Sequence, residues 1–160
     1  MRFALLLLMP LLGFQAAPLA DAYAPLRLYD GVWLAHGGPV GQAAKDTRIA
    51  NECHQIGIYF GCQQTVDGKT GALIVFVPYG APGHYYTQAI LNEGHATGRG
   101  DLEIHGPDWT YSSQATANGV ATYHRTTNHF SDHRHIHYEQ AESTDGKTWK
   151  VLASGDEVHQ

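Results

Sequence analysis

Along most of this chain, apolar and polar residues alternate in short runs, a period that places side chains on two opposite faces of a strand. Tight-turn dipeptides sit between such runs at Asp67-Gly68, Asn118-Gly119 and Asp145-Gly146. A two-residue hairpin turn needs positive φ at both central positions, and Asn-Gly and Asp-Gly supply it. Further breakers stand at Gly37-Gly38-Pro39, Gly80 to Gly83, Asn92-Glu93-Gly94, Gly106-Pro107 and Ser131-Asp132. Strands are therefore expected near 28–36, 47–56, 58–66, 69–78, 84–92, 95–105, 108–117, 119–130, 133–143 and 147–154. The run Ala72 to Val77 is continuously apolar and should be the best-buried strand. Apart from a short helix around 40–45, no segment has a helical period. The expected fold is all-β: an antiparallel meander of about 8–10 strands closed into one barrel around a lumen.

The Asn118-Gly119 turn also fixes register. It pairs 117 with 120 and, counting outward, 109 with 128. One face then holds Trp109, Tyr111, His124, Thr126, Asn128 and Phe130, while the other holds Thr110, Tyr123 and Arg125. The first face has the larger apolar groups and no full charge, so it should point inward. A second short turn at Ser131-Asp132 would carry that face onto His133, His135, His137, Glu139 and Ala141, leaving Arg134 and Tyr138 outside. At the last turn, a three-residue loop with a bulge at Gly146 would bury Trp149 and Val151.

Composition narrows the setting. Eighteen Gly, 9 Tyr and 11 His among 160 residues, with only 16% charged, suit strands and turns. The net charge of −5 and the scattered basic residues exclude a nucleic-acid or anionic-membrane footprint. Arg2 precedes an apolar stretch, Phe3 to Phe14, that is too short to span a bilayer. Small residues and Ala20-Asp21-Ala22 follow. This pattern reads as a signal peptide over 1–20, with cleavage after 22 as the alternative, and a single domain over 21–160. Export to a periplasm or the medium is expected, with no membrane anchor. In that oxidising setting Cys53 and Cys62 should pair, because a turn at Gly57-Ile58 places them opposite each other. The spacing is not that of a C-x-x-C redox site.

Two segments resemble a known group. Gly31-Val32-Trp33 resembles the Gly-x-Trp opening of lipocalins, in which the Trp closes one end of the barrel. Tyr138 to Trp149 (YEQAESTDGKTW) is similar to the closing hairpin of bacterial lipocalin-like, calycin-type secreted proteins of unknown function. The resemblance brackets residues 28 to 153 and implies a calycin-type barrel with Trp33 across one end. It implies no substrate, and the lipocalin C-terminal helix has no counterpart here.

The candidate chemistry lies in the inward face. Trp109, Tyr111, His124, Thr126, Asn128, His135, His137 and Glu139 form the expected ligand-binding set, combining apolar surface with a few orienting polar groups. His135 and His137 on one strand face stand about 6.5–7 Å apart, close enough for both to reach one zinc ion. Glu139 or His124 would be the third ligand. The preferred reading of the same imidazoles is hydrogen-bonded polar lining or solvent-facing histidines, so no cofactor is expected, and zinc at His135 and His137 is the alternative. The carboxylates show no reaction-specific spacing, and no Ser or Cys stands in a nucleophile context. The sequence thus favours an exported barrel that binds a small amphipathic or aromatic molecule. A metal-assisted enzyme and an envelope protein acting through its outer surface are the alternatives.

Overall fold

The computed structural model describes residues 22–160, so the expected signal segment lies outside the described residues. A 3₁₀ turn, Pro25–Tyr29, leads into ten strands. These are β1 (Gly31–Pro39), β2 (Lys45–Ile56), β3 (Tyr59–Val66), β4 (Lys69–Pro78), β5 (His84–Leu91), β6 (Gly100–His105), β7 (Asp108–Ala117), β8 (Val120–Asp132), β9 (His135–Ser143) and β10 (Lys150–His159). Each strand pairs antiparallel with the next, and β10 returns to pair with β1, closing the barrel. Residues 40–44 form a turn rather than a helix, and 95–99 form a loop apart from one bridge at Ala96.

Turn chemistry accounts for two of the hairpins. Asp67 and Asn118 both have φ of 51°, and Gly68 and Gly119 follow at 75° and 78°. The third dipeptide behaves differently. The Asp145 carboxylate accepts the amides of Lys147 (2.8 Å) and Thr148 (2.7 Å) and the Ser143 hydroxyl (2.9 Å), organising a loop over 144–149. These donors hold the Asp145 carboxyl well below the usual carboxylate range.

The apolar core fills one end of the barrel. Tyr23, Leu26, Trp33, Leu102, Trp109 and Ile136 are among its buried members, with Phe60, Phe76, Tyr85 and Phe130 packed around them. Trp33 is fully buried, edge-on to Phe130 at 6.4 Å and to His159 at 4.8 Å, and its Nε1 donates to the Tyr29 carbonyl at 3.2 Å. The segment before β1 is strapped across this end. Tyr23 donates its hydroxyl to the Ile58 carbonyl, and Tyr85 donates to that of Ala22. Cys53 and Cys62 are directly opposite on β2 and β3 and form a disulfide.

The register of β7 against β8 matches the turn-based count, with Trp109 opposite Asn128 and Tyr111 opposite Thr126. The next hairpin requires a correction. The ladder shifts between Phe130 and Asp132, so Phe130 faces Ile136 while Asp132 faces His135. Ser131 is therefore an extra residue on β8, and His133-Arg134 forms the turn. One bulged residue exchanges the faces of everything beyond it. Ile136, Tyr138 and Gln140 point inward, and His135, His137 and Glu139 point outward. The exchange buries Ile136 to 2% exposure where the other register would have buried imidazoles. Asp132 secures the turn by accepting from the Arg134 amide at 2.7 Å and bonding the His135 ring at 2.9 Å.

A second correction concerns the last hairpin. Val151 pairs with Ala141, which pairs with Arg125, and all three lie on the outer face. Trp149 lies there too, with the Arg125 guanidinium over its ring at 4.2 Å. Stacking against a cation, rather than burial in the lumen, gives this Trp its contact.

Trp33 is fully buried at the closed end, so truncating its side chain leaves a cavity there. Trp33→Ala should cost about 3–5 kcal/mol of folding free energy. Chemical denaturation measures this, and a loss under about 1 kcal/mol would show that the plug does not depend on the indole.

Candidate functional site

Beyond the plug, the barrel encloses a cavity of about 780 Å³. Ile49, Ile74, Phe76, Ala35, Ala89 and Cys62 supply apolar wall. The loops 40–44, 67–68, 92–99, 118–119 and 144–149 surround the open end.

A polar layer separates this cavity from the apolar plug. It consists of Tyr29, Tyr111, Asn128, Tyr138 and Glu157, all lining the cavity. The 3₁₀ turn carries Tyr29 beneath the lumen, edge-on to Trp109 at 5.0 Å. Asn128 donates its amide to the Tyr29 hydroxyl, and the Tyr111 hydroxyl approaches as a second donor. Burial raises the pKa of both tyrosines well above the ordinary phenol value, and the Glu157 carboxylate adds to the shift. Both therefore remain neutral hydrogen-bonding groups at physiological pH.

Tyr138 enters the lumen because two glycines on neighbouring strands leave room for it. Gly37 on β1 faces Gly155 on β10. A Cβ at Gly37 would lie 2.6 Å from the Tyr138 hydroxyl, and one at Gly155 would lie 2.9 Å from its ring. Side chains here would occupy the space of the phenol.

Glu157 follows two residues later on the same face, opposite Ala35 and Ile136. Burial raises its pKa from an ordinary 4.5 to about 6. Burial raises the pKa of Tyr138, and the Glu157 charge adds to that shift. A carboxylate here favours a cation or hydrogen-bond donor in the lumen.

Four of the residues expected from sequence line this cavity: Tyr111, Thr126, Asn128 and His124, the last exposed towards the mouth. Trp109 does not, since its indole lies in the plug, 2% exposed and 4.7 Å from the Phe130 ring. His135, His137 and Glu139 lie outside the barrel, where Asp132 and Asp156 bond the two imidazoles at 2.9 and 2.8 Å. The expected lumenal zinc set is therefore not assembled. Among the described residues, no three His, Cys, Asp or Glu groups stand ready around one ion. Sequence reasoning missed Tyr29, Tyr138 and Glu157. Glycine inside two strands, at Gly37 and Gly155, was the available signal, because it often marks a place where another group approaches the backbone.

The Glu157 environment sets a signed pH effect. The folded state holds this proton more tightly than the unfolded chain, so the contribution of Glu157 to stability falls as pH rises from 4.5 through about 6 and stays low above. Glu157→Gln removes this term. The variant should gain up to about 2 kcal/mol relative to wild type between about pH 4 and pH 8, measured by urea unfolding. A pH-independent offset would mean that the carboxyl is freely solvated.

No family model matches this chain, and no curated protein sequence matches it. Solved structures do resemble it. The Rv2717c protein of M. tuberculosis superposes with a TM-score of 0.52 at 14% identity, over 90% of this chain and 98% of that one. The S-type phycobiliprotein lyase CPES from Guillardia theta aligns with a TM-score of 0.45 at 10% identity, over 91% and 98%. The closed ten-strand antiparallel topology, together with the first of these likenesses, gives the fold as a lipocalin-like β-barrel.

Proposed function

We propose that this protein is an exported binding module that holds one small amphipathic molecule in its lumen. The observation that carries the reading is the cavity of about 780 Å³, with an apolar wall ending in a polar floor. Sites for small molecules are commonly about 300–1,000 Å³, largely apolar, with a few convergent polar groups. Ile74 and Phe76 would cover the ligand's apolar or aromatic body. Tyr111 and Asn128 would orient it, and Glu157 would accept from a basic or donating group at its inner end. An amine therefore suits the site better than a carboxylate. Binding requires no reaction, and we assign none.

Export rests on the signal-like segment over 1–20 and on a disulfide, which an oxidising compartment maintains. Cleavage after residue 20 retains Ala22, whose carbonyl accepts the Tyr85 hydroxyl, so we favour it over cleavage after 22. The intact mass of the processed protein should correspond to a chain beginning at Asp21. A chain beginning at Tyr23 would show that this contact is dispensable.

The binding reading is tested with phenylnaphthylamine, whose fluorescence rises in apolar surroundings. The probe should bind saturably, and Ala153→Phe, which places a ring in the cavity, should abolish binding without unfolding the barrel. Dodecylamine should displace the probe better than dodecanoate above pH about 6, where Glu157 is ionised, and Glu157→Gln should erase that preference. Unchanged probe binding in Ala153→Phe would overturn the lumenal site.

A further inference from the structure

The outer wall carries a second arrangement of ionisable groups, independent of the lumen. Strand register places one His or Asp from each of seven consecutive strands in a single row. Asp46 on β2 is opposite His36 on β1, which is opposite Asp156 on β10. Asp156 is opposite His137 on β9, and His137 is opposite His129 on β8. His129 is opposite Asp108 on β7, which is opposite His105 on β6. The order along the row is Asp, His, Asp, His, His, Asp, His. At one place only does imidazole face imidazole, at His129 and His137.

The hydrogen bonds of this pair make it more than a chance of register. The His129 Nδ1 bonds Asp108 at 2.6 Å, and the His137 Nδ1 bonds Asp156 at 2.8 Å. An ionised carboxylate only accepts, so each Nδ1 carries the proton and each neutral ring presents an Nε2 lone pair. A carboxylate behind the distal nitrogen is the arrangement that orients metal-ligating histidines and raises their basicity. The carboxylates come from the two flanking strands and hold the pair from both sides. The rings are accessible, at 52% and 58% side-chain exposure, and they border a hollow of about 360 Å³ that His135 also lines.

We propose that His129 and His137 form an outer-surface site for a divalent transition ion, with Cu²⁺ bound most tightly. Directly opposed residues in an antiparallel pair have Cβ atoms about 4.5–5.5 Å apart, which lets two imidazoles share one ion. Two neutral nitrogens select Cu²⁺, Ni²⁺ or Zn²⁺ over Mg²⁺ or Ca²⁺, and the Irving–Williams order puts Cu²⁺ first. Among the described residues no three His, Cys, Asp or Glu side chains are grouped around one point, so water completes the coordination shell.

The experiment uses tag-free, metal-stripped protein titrated with Cu²⁺, followed by calorimetry and electron paramagnetic resonance. One equivalent should bind with the signature of two equatorial nitrogens. His129→Gln and His137→Gln should each weaken it by more than about tenfold, since loss of even an outer partner costs that much. Thermal melting of the metal-free variants checks that the exposed substitutions leave the barrel folded. His36→Gln removes a His–Asp pair of the same row that faces no other imidazole, and it should leave Cu²⁺ binding intact. Ala153→Phe should leave it intact as well, which separates this site from the lumen. Equal affinity in His137→Gln, or an equal loss in His36→Gln, would overturn the proposal and reduce the row to structural hydrogen bonds.

Discussion

The pairing of the last strand with the first is the constraint on which the rest of this structure depends. Closure removes both sheet edges, so none of the ten strands presents unpaired backbone along its whole length. Its register also sets the contents of the interior. Trp33 meets His159 at the plug, Ala35 meets Glu157 at the polar layer, and Gly37 meets Gly155 where Tyr138 needs room. A shift of one residue between β1 and β10 would turn the indole, the carboxyl and the glycine gap to the wrong side together.

The interior is graded along its axis. At the closed end aromatic rings pack against one another, and their burial stabilises the fold. Next comes a thin polar layer, where Asn128 satisfies Tyr29 and the tyrosines remain neutral because ionising them there is costly. Beyond it the walls become mixed and open to solvent. The order has a physical basis: buried phenols tolerate desolvation when hydrogen-bonded, whereas Glu157 retains part of its desolvation cost as a raised pKa. Such retained cost is commonly found where a protein meets a ligand.

Much of the architecture was legible because it depends on local rules. Asp67-Gly68 and Asn118-Gly119 demand tight turns whatever surrounds them, and the register of β7 with β8 follows from the second by counting. The Trp33 plug was legible through the Gly-x-Trp resemblance. Of the candidate site, only Tyr111, His124, Thr126 and Asn128 on β7 and β8 were legible. Ser131 looks like half of a turn, and nothing nearby in the sequence marks it as a bulge; burying Ile136 and Tyr138 instead of two imidazoles settles the matter, and that depends on the other side of the barrel. Asp145-Gly146 misleads for a related reason. Its carboxylate has four nearby donors, and satisfying them outweighs the tight turn. Tyr29 and Glu157 are far apart in sequence from the residues they join, so no local pattern could assemble them.

The bulge at Ser131 has a consequence for how this protein can change over time. Downstream of it, β9 is read from both sides: Ile136 and Tyr138 face the interior, while His135 and His137 face Asp132 and Asp156 outside. A strand of this kind has no harmless slip, because moving it by one residue disrupts two sets of partners that share no atoms. Point substitutions on either face can accumulate independently, whereas insertions and deletions within the hairpin are penalised twice. Length in this segment should therefore be inherited more strictly than identity.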